Sequence, residues 1–204
     1  MTSRDEKPLP RGGGADLGGA RERGEVVHQH AGDVADGEAL SATLGGTMRK
    51  QTYFDSRHRE DWPDPRDLKP YFFAPPGQEW FHTKGNDTAG LDAEGVDGTE
   101  HLAPNRGRID IGLSMWGMPG LGVLLIYTKW GGGHKDTFSS KGDLNRLREW
   151  VRSLHDTPLP VGLFIPFKTA WLAVKEFIET DGQLPKSIEW IANKDLPPGT
   201  FPDP

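Results

Sequence analysis

Apolar and polar residues alternate in the middle of the chain. Every second residue between 108 and 115 is apolar, in the order Ile109, Ile111, Leu113 and Met115. A period of two is typical of a strand that buries one face. Glycine-containing turns lead from this strand to a more apolar one at 122–130 and then to a short one at 137–139. We therefore predict an antiparallel sheet in this region.

Two later segments have the spacing of helices. The first follows a capping signal at Ser140 and Asp143 and carries apolar residues at Leu144, Leu147, Trp150, Val151 and Leu154. The second starts at Pro166, has its expected end at Gly182, and carries Phe167, Ala170, Trp171, Val174, Phe177 and Ile178. Residues 184–191 are expected to return as a strand. The predicted fold class is α+β, an antiparallel β-sheet with two helices packed on one face.

The residues ahead of this sheet give weaker patterns. Residues 50–54 resemble the start of a strand. Residues 55–76 are charged and rich in proline, which favours an ordered loop with at most one helical turn. Residues 79–82 are a candidate short strand. Residues 86–100 are rich in Gly and Asp, and we expect a loop there.

Composition divides the chain into two unlike parts. Residues 1–47 contain 10 of the 27 glycines and none of the 19 aromatic residues. Such a segment buries too little apolar surface to offset its ordering entropy. We therefore predict a disordered Gly-rich tail at 1–47 and a single α+β domain at 48–204. The change in composition also suggests the hypothesis that Met48 is the natural start.

The chain has no cysteine and a net charge of −6. The absence of cysteine excludes disulfide scaffolds, iron–sulfur clusters and thiol catalysis, and a reducing, cytoplasmic location is the simplest interpretation. The acidic balance argues against direct binding to nucleic acid or to an anionic membrane, since both need a surplus of Lys and Arg. No apolar run reaches the length of about 18 residues that a membrane helix needs.

Motifs for catalysis and cofactor binding are missing from the sequence. The segment Gly112-Leu113-Ser114-Met115-Trp116 lacks the last glycine of a nucleophile elbow and leads into a strand rather than a helix. The Gly-rich residues 117–122 also precede a strand, so no helix N-terminus is available there for a phosphate. None of the seven histidines lies in H-E-x-x-H or in a helical i, i+4 pair, and His28 and His30, which could bind a metal, lie in the predicted tail. We predict no catalytic residue, no cofactor and no metal site.

Two other features of the sequence are compatible with a binding function. Trp62, Trp80, Trp116 and Trp130 could form a platform for a sugar, with paired carboxylates for hydrolysis, although packing in the core is the simpler interpretation. The predicted loop at 86–100 contains five carboxylates and no base, namely Asp87, Asp92, Glu94, Asp97 and Glu100. Their local negative field is a candidate contact for a basic partner surface, and a solvated surface loop is the alternative.

The C-terminal third of the chain resembles a known family. From Ala173 onward the sequence has the pattern A-V-x-E-F-x-x-T-x-G-x-x-P-x-x-I-x-W, which ends at Trp190 and follows a proline-led helix start at Pro166. This pattern is similar to the end of immunity protein family 1 of bacterial polymorphic toxin systems. The resemblance covers roughly residues 105–191 and is strongest at 165–190.

The resemblance implies a cytoplasmic antitoxin without catalytic activity of its own. Members of this family are typically encoded beside toxins with nucleic-acid deaminase or nuclease domains, and they bind the cognate toxin and block its active site. The pattern residues Pro166, Phe177, Gly182, Pro185 and Trp190 are expected to be scaffold. The five carboxylates at 86–100 are the predicted toxin contact, and a carbohydrate-binding or carbohydrate-hydrolysing domain is the alternative function.

Overall fold

The computed structural model describes residues 47–54, 57–80 and 87–202. All of these belong to one compact unit, Ala42–Pro204. The predicted tail lies outside the described residues, apart from the exposed Thr47. The predicted domain boundary at Met48 therefore stays a prediction.

The described residues form nine strands and two helices. In chain order they are β1 (Arg49–Phe54), β2 (Arg57–Arg59), α1 (Pro65–Phe73), β3 (Thr88–Glu94), β4 (Asp110–Met118), β5 (Gly122–Gly131), β6 (His134–Ser140), β7 (Trp150–Arg152), β8 (Pro158–Pro160), α2 (Phe167–Glu179) and β9 (Trp190–Ala192). Seven strands make one antiparallel sheet in the order β2-β1-β3-β4-β5-β6-β9, and β7 pairs with β8 in a separate hairpin. The predicted fold class, α+β, is confirmed.

One face of the large sheet carries the main hydrophobic core. Thr52, Leu91, Leu113, Tyr127 and Phe138 are paired in a single row across β1, β3, β4, β5 and β6. Residues directly opposite each other in a sheet point to the same face. This face packs against both helices, whose buried side chains include Leu68, Phe72, Phe167, Trp171 and Phe177. The ring centroids of Phe72 and Trp171 are 5.5 Å apart and join the two helices.

The predicted loop at 55–76 contains the helix α1. Asp64 caps it by accepting a hydrogen bond from the backbone N–H of Arg66 at 2.8 Å, and Pro65 occupies a first-turn position where its missing N–H costs nothing. Leu68 and Phe72, four residues apart, are buried on one side of the helix. The proline content of this segment concealed a short helix whose stability comes mainly from packing.

The helix predicted from Leu144 to Leu154 is wrong. Residues 144–146 form one 3₁₀ turn, and the strand β7 follows at 150–152. The backbone on either side of this segment packs too closely for a side chain, because a Cβ atom at Gly142 would lie 2.3 Å from the carbonyl oxygen of Phe164, and one at Gly162 would lie 2.6 Å from that of Asp143. Leu147 and Val151 of this segment pack on the sheet, together with Leu159 and Leu163. We call residues 143–164 the arm.

Three other predictions from the sequence differ from the structure or lie partly outside the described residues. The predicted loop at 86–100 contains the strand β3. The buried residues Ala89, Leu91 and Ala93 of this strand alternate with glycine and acidic residues, a composition that is typical of a loop. The strand expected at 184–191 is confined to β9 at 190–192. Of the candidate strand at 79–82, Glu79 and Trp80 lie in a turn, with Trp80 at a φ of 57°, and residues 81–82 lie outside the described residues.

Candidate functional site

The described residues cover only part of the second face of the large sheet. The arm packs on the part of this face that carries Trp116, Leu124 and Ile126. Beyond the arm, five paired residues form a row across β1, β3, β4, β5 and β6, namely Gln51, Asp92, Gly112, Thr128 and Thr137. Trp130 lies in the next row, two residues along β5, and is 37% exposed. We call these six residues the open face.

The carboxylate of Asp92 lies at the centre of the open face. A Cβ atom at Gly112 would lie 2.5 Å from Oδ1 of Asp92 and 3.6 Å from Cη2 and Cζ3 of the Trp130 ring. The carboxylate and the indole ring therefore lie beside each other over a glycine. Asp92 is half-buried. Desolvation by burial, and secondarily the charge of Glu94, raise the pKa of its carboxyl group above the ordinary value.

The neighbouring carboxylates, unlike Asp92, have cationic partners. Glu94 lies 3.5 Å from Nη1 of Arg49 and 3.3 Å from Nη1 of Arg108. Asp110 is buried, accepts a hydrogen bond from the Gly95 backbone N–H at 2.9 Å, and accepts another from Arg108 at 3.0 Å. Within the part of the chain that the structure describes, no hydrogen bond or ion pair reaches the Asp92 carboxylate.

The remaining predicted partner-binding residues do not lie together. Asp87 is buried, and its Oδ2 accepts a hydrogen bond from the Leu154 backbone N–H at 2.7 Å, which ties the arm to the start of β3. Asp97 lies in the turn after β3 and pairs with Lys129 at 2.6 Å. Glu100 is half-buried in the same loop region, and its Cα atom would lie 2.4 Å from a Cβ atom at Gly95. Of the five carboxylates, Asp92 alone belongs to the open face.

Sequence reasoning missed most of the open face. The proximity of these residues to Asp92 depends on the register of five strands, which the sequence alone does not give. The residues concerned are Gln51, Gly112, Thr128, Thr137 and Trp130. One usable signal was present. The alternation at 108–115 puts Gly112 on the face opposite Leu113, so a small residue at the centre of a polar sheet face could have been recognised.

The four tryptophans of the predicted sugar platform are distributed over different parts of the fold. Trp62 and Trp80 are buried in the main core, at 8% and 3% exposure. Trp116 is half-buried against the arm, and Trp130 belongs to the open face. Within the described residues, no group of three or more His, Asp or Glu side chains is arranged to hold a metal ion. Neither described helix has the length and apolar character needed to cross a membrane.

The pattern residues near the C-terminus pack as one block. Phe177 is fully buried, and α2, which starts after Pro166, ends with the Gly182 backbone N–H donating to the carbonyl of Phe177 at 2.8 Å. The indole N–H of Trp190 donates to the carbonyl of Pro185 at 2.7 Å. The Glu176 carboxylate accepts hydrogen bonds from the backbone N–H groups of residues 186 and 187, and these bonds lower its pKa.

Comparison with known proteins gives one extensive match. Residues 86–192, more than half of the chain, match the family model of the immunity protein Imm1. A segment of 62 residues, 29% of this chain, is 39% identical to (-)-kolavenyl diphosphate synthase, chloroplastic, from Salvia divinorum, but spans only 8% of that protein. No solved structure matches the chain at a significant level. The residues that match Imm1 include four of the five strands of the open face and the whole C-terminal block.

Proposed function

The chain belongs to the Imm1 family of immunity proteins, and we propose that it neutralises one cognate toxin of a polymorphic toxin system by binding it without catalysing a reaction. The family membership predicted from the C-terminal pattern is confirmed, and the matched range begins at residue 86 rather than near 105. This match is the observation that carries the proposal. An antitoxin of this kind needs a surface that is complementary to its toxin, rather than a set of reacting groups.

We propose the open face as that surface. It is polar and built on rigid strands, and it has a glycine at its centre and an exposed tryptophan beside it. Tryptophan is enriched among the residues that dominate binding energy, especially where surrounding polar groups exclude water. A strand-based surface also loses little conformational entropy on binding, because its backbone is already ordered.

The toxin proposed for this surface acts on nucleic acid, as a deaminase or a nuclease, and meets the antitoxin in the cytoplasm. Enzymes that act on nucleic acid need Lys and Arg side chains around the substrate phosphates. A protein that blocks such an active site can use carboxylates where the substrate would place phosphates. The open face supplies one such carboxylate, that of Asp92 on β3.

Co-expression with the toxin encoded by the neighbouring gene tests the proposal. We expect the two proteins to purify as a complex, and we expect an equimolar amount of this protein to abolish the toxin's activity on its nucleic-acid substrate. A toxin from an unrelated locus is the matched control and should remain active. If the neighbouring toxin neither binds nor loses activity, the proposed function is wrong. A glycan array with a hydrolysis assay would test the alternative carbohydrate function in parallel.

A further inference from the structure

Asp92 carries a charge that the described chain does not compensate. Its carboxylate is half-buried beside Trp130 and lies over Gly112, within 2.5 Å of the position that a Cβ atom would occupy there. Taking a carboxylate out of water costs free energy unless a cation or hydrogen-bond donors replace the water. In the described residues neither replacement is present, although Glu94, two residues along the same strand, has two arginine partners.

The nearby lysines are engaged elsewhere or lie too far along the sheet. Lys50 neighbours the open-face residue Gln51 but points to the helix face, where it pairs with Asp181 at 2.7 Å and lies over the Trp62 ring. Lys135 is exposed on β6 and is paired with Trp130, so it stands on the side of the indole away from Asp92. Within the described residues, Arg49 and Arg108 pair with Glu94 and no cation pairs with Asp92, so a partner molecule can supply one.

Resting on the proposed function, we propose that the open face binds one arginine side chain of the toxin, with its guanidinium group paired to the Asp92 carboxylate and lying against the exposed ring of Trp130. Arginine fits this pair of groups better than lysine does. Its planar group can donate two parallel hydrogen bonds to a carboxylate and can stack on an indole ring, and it is less strongly hydrated than an ammonium group.

The surrounding residues are suited to this ligand. Gly112 is buried and has no side chain, so the Asp92 carboxylate and the Trp130 ring lie beside each other above it and present one charged and one aromatic group to the same ligand. Gln51 and Thr128 stand on either side of Asp92 and Gly112 in the same row, and their side-chain oxygens can accept the remaining guanidinium N–H groups. The raised pKa of Asp92 agrees with a carboxylate whose partner is missing in the free protein.

Binding of the neighbouring toxin to single variants tests the inference. Asp92→Asn keeps the shape of the side chain, and we expect it to weaken toxin binding by about 10- to 100-fold and to reduce its salt dependence. Trp130→Ala should weaken binding by about 3- to 30-fold. The matched control is Asp136→Asn, because Asp136 is an exposed strand carboxylate on the helix face. The control should stay within about twofold of the parent protein.

A second measurement does not depend on the toxin. Acetyl-arginine amide, titrated into the parent protein, should shift the NMR signals of the Trp130 indole N–H and the Gly112 amide in a saturable way. The neutral analogue acetyl-citrulline amide should not do so, and neither analogue should shift them in Asp92→Asn.

The outcomes separate the two proposals. A parent protein that binds no toxin refutes the proposed function, and the titration then decides the arginine site by itself. A toxin bound equally well by the parent and by Asp92→Asn overturns the inference and leaves the proposed function standing. Equal shifts with citrulline, or with acetyl-lysine amide, also overturn it, because the site would not select a guanidinium group.

Discussion

Gly182, in the C-terminal block of residues 166–190, packs closely on the sheet, and Gly182→Ala tests that contact. The residue has a φ of +89°, and a Cβ atom there would lie 1.8 Å from Cδ1 of Ile111 and 3.3 Å from Cη2 of Trp62. Both neighbours are buried in the main core, with Ile111 only 2% exposed. The Ile111 side chain therefore has little space into which it can move.

Two costs add in this variant. A non-glycine residue at positive φ costs about 1 to 2 kcal/mol. Forcing an extra methyl group into a packed core costs about 1 to 3 kcal/mol more. We expect the free energy of unfolding to fall by about 2 to 5 kcal/mol in total, which lowers Tm by roughly 5 to 15 °C for a domain of this size.

Urea unfolding followed by tryptophan fluorescence measures this loss. Gly199→Ala is the matched control, because Gly199 has a φ of +78° and nothing lies within 4 Å of its Cβ position. The control should lose only the backbone cost of about 1 to 2 kcal/mol. If Gly182→Ala loses no more than the control, at an unchanged m-value, then the close contact with Ile111 is not present in solution.

Three further predictions concern stability. Asp92→Asn should stabilise the free protein at neutral pH, and this gain should vanish at about pH 3. The raised pKa of Asp92 means that the folded state binds the proton more tightly than the unfolded state does. The stability of the parent protein therefore falls as the pH rises above 3.8, the ordinary pKa of the group. Denaturation at both pH values checks this, and an unchanged stability at neutral pH would contradict it. Glu176→Gln should lower the free energy of unfolding by about 1 kcal/mol at neutral pH and leave it unchanged in acid. The lowered pKa of Glu176 gives a stabilisation that is present above pH 4.5 and is lost as the pH falls below that value. A pH-independent difference in urea unfolding would refute that cause. Leu147→Ala should cost about 2 to 4 kcal/mol, whereas Leu154→Ala, at a side chain 64% exposed, should cost under about 0.5 kcal/mol. Equal midpoints in urea for the two variants would mean that the arm is not packed on the sheet.

The sequence alone predicted the elements whose signal is local. The alternation at 108–115 and the following turns correctly predicted β4, β5 and β6, because neighbouring strands joined by tight turns pair with each other. The apolar stripe of α2 and the family pattern after it were equally readable. The helix expected at 144–154 failed because the apolar stripe is not buried as one face: Leu147 packs on the sheet, whereas Trp150 and Leu154 are 45% and 64% exposed.

Tertiary structure decided which side chains meet. The five carboxylates at 86–100 form one acidic run in the sequence, but β3 sends Asp92 and Glu94 to one face, while Asp87 is buried under the arm and Asp97 pairs with Lys129. The open face combines residues from five strands between 51 and 137, so its composition depends on strand register. A single-residue slip would turn Asp92 into the core, because side chains alternate between faces. Hydrophobic burial of the helix face sets that register, and it thereby determines which polar residues remain for a partner.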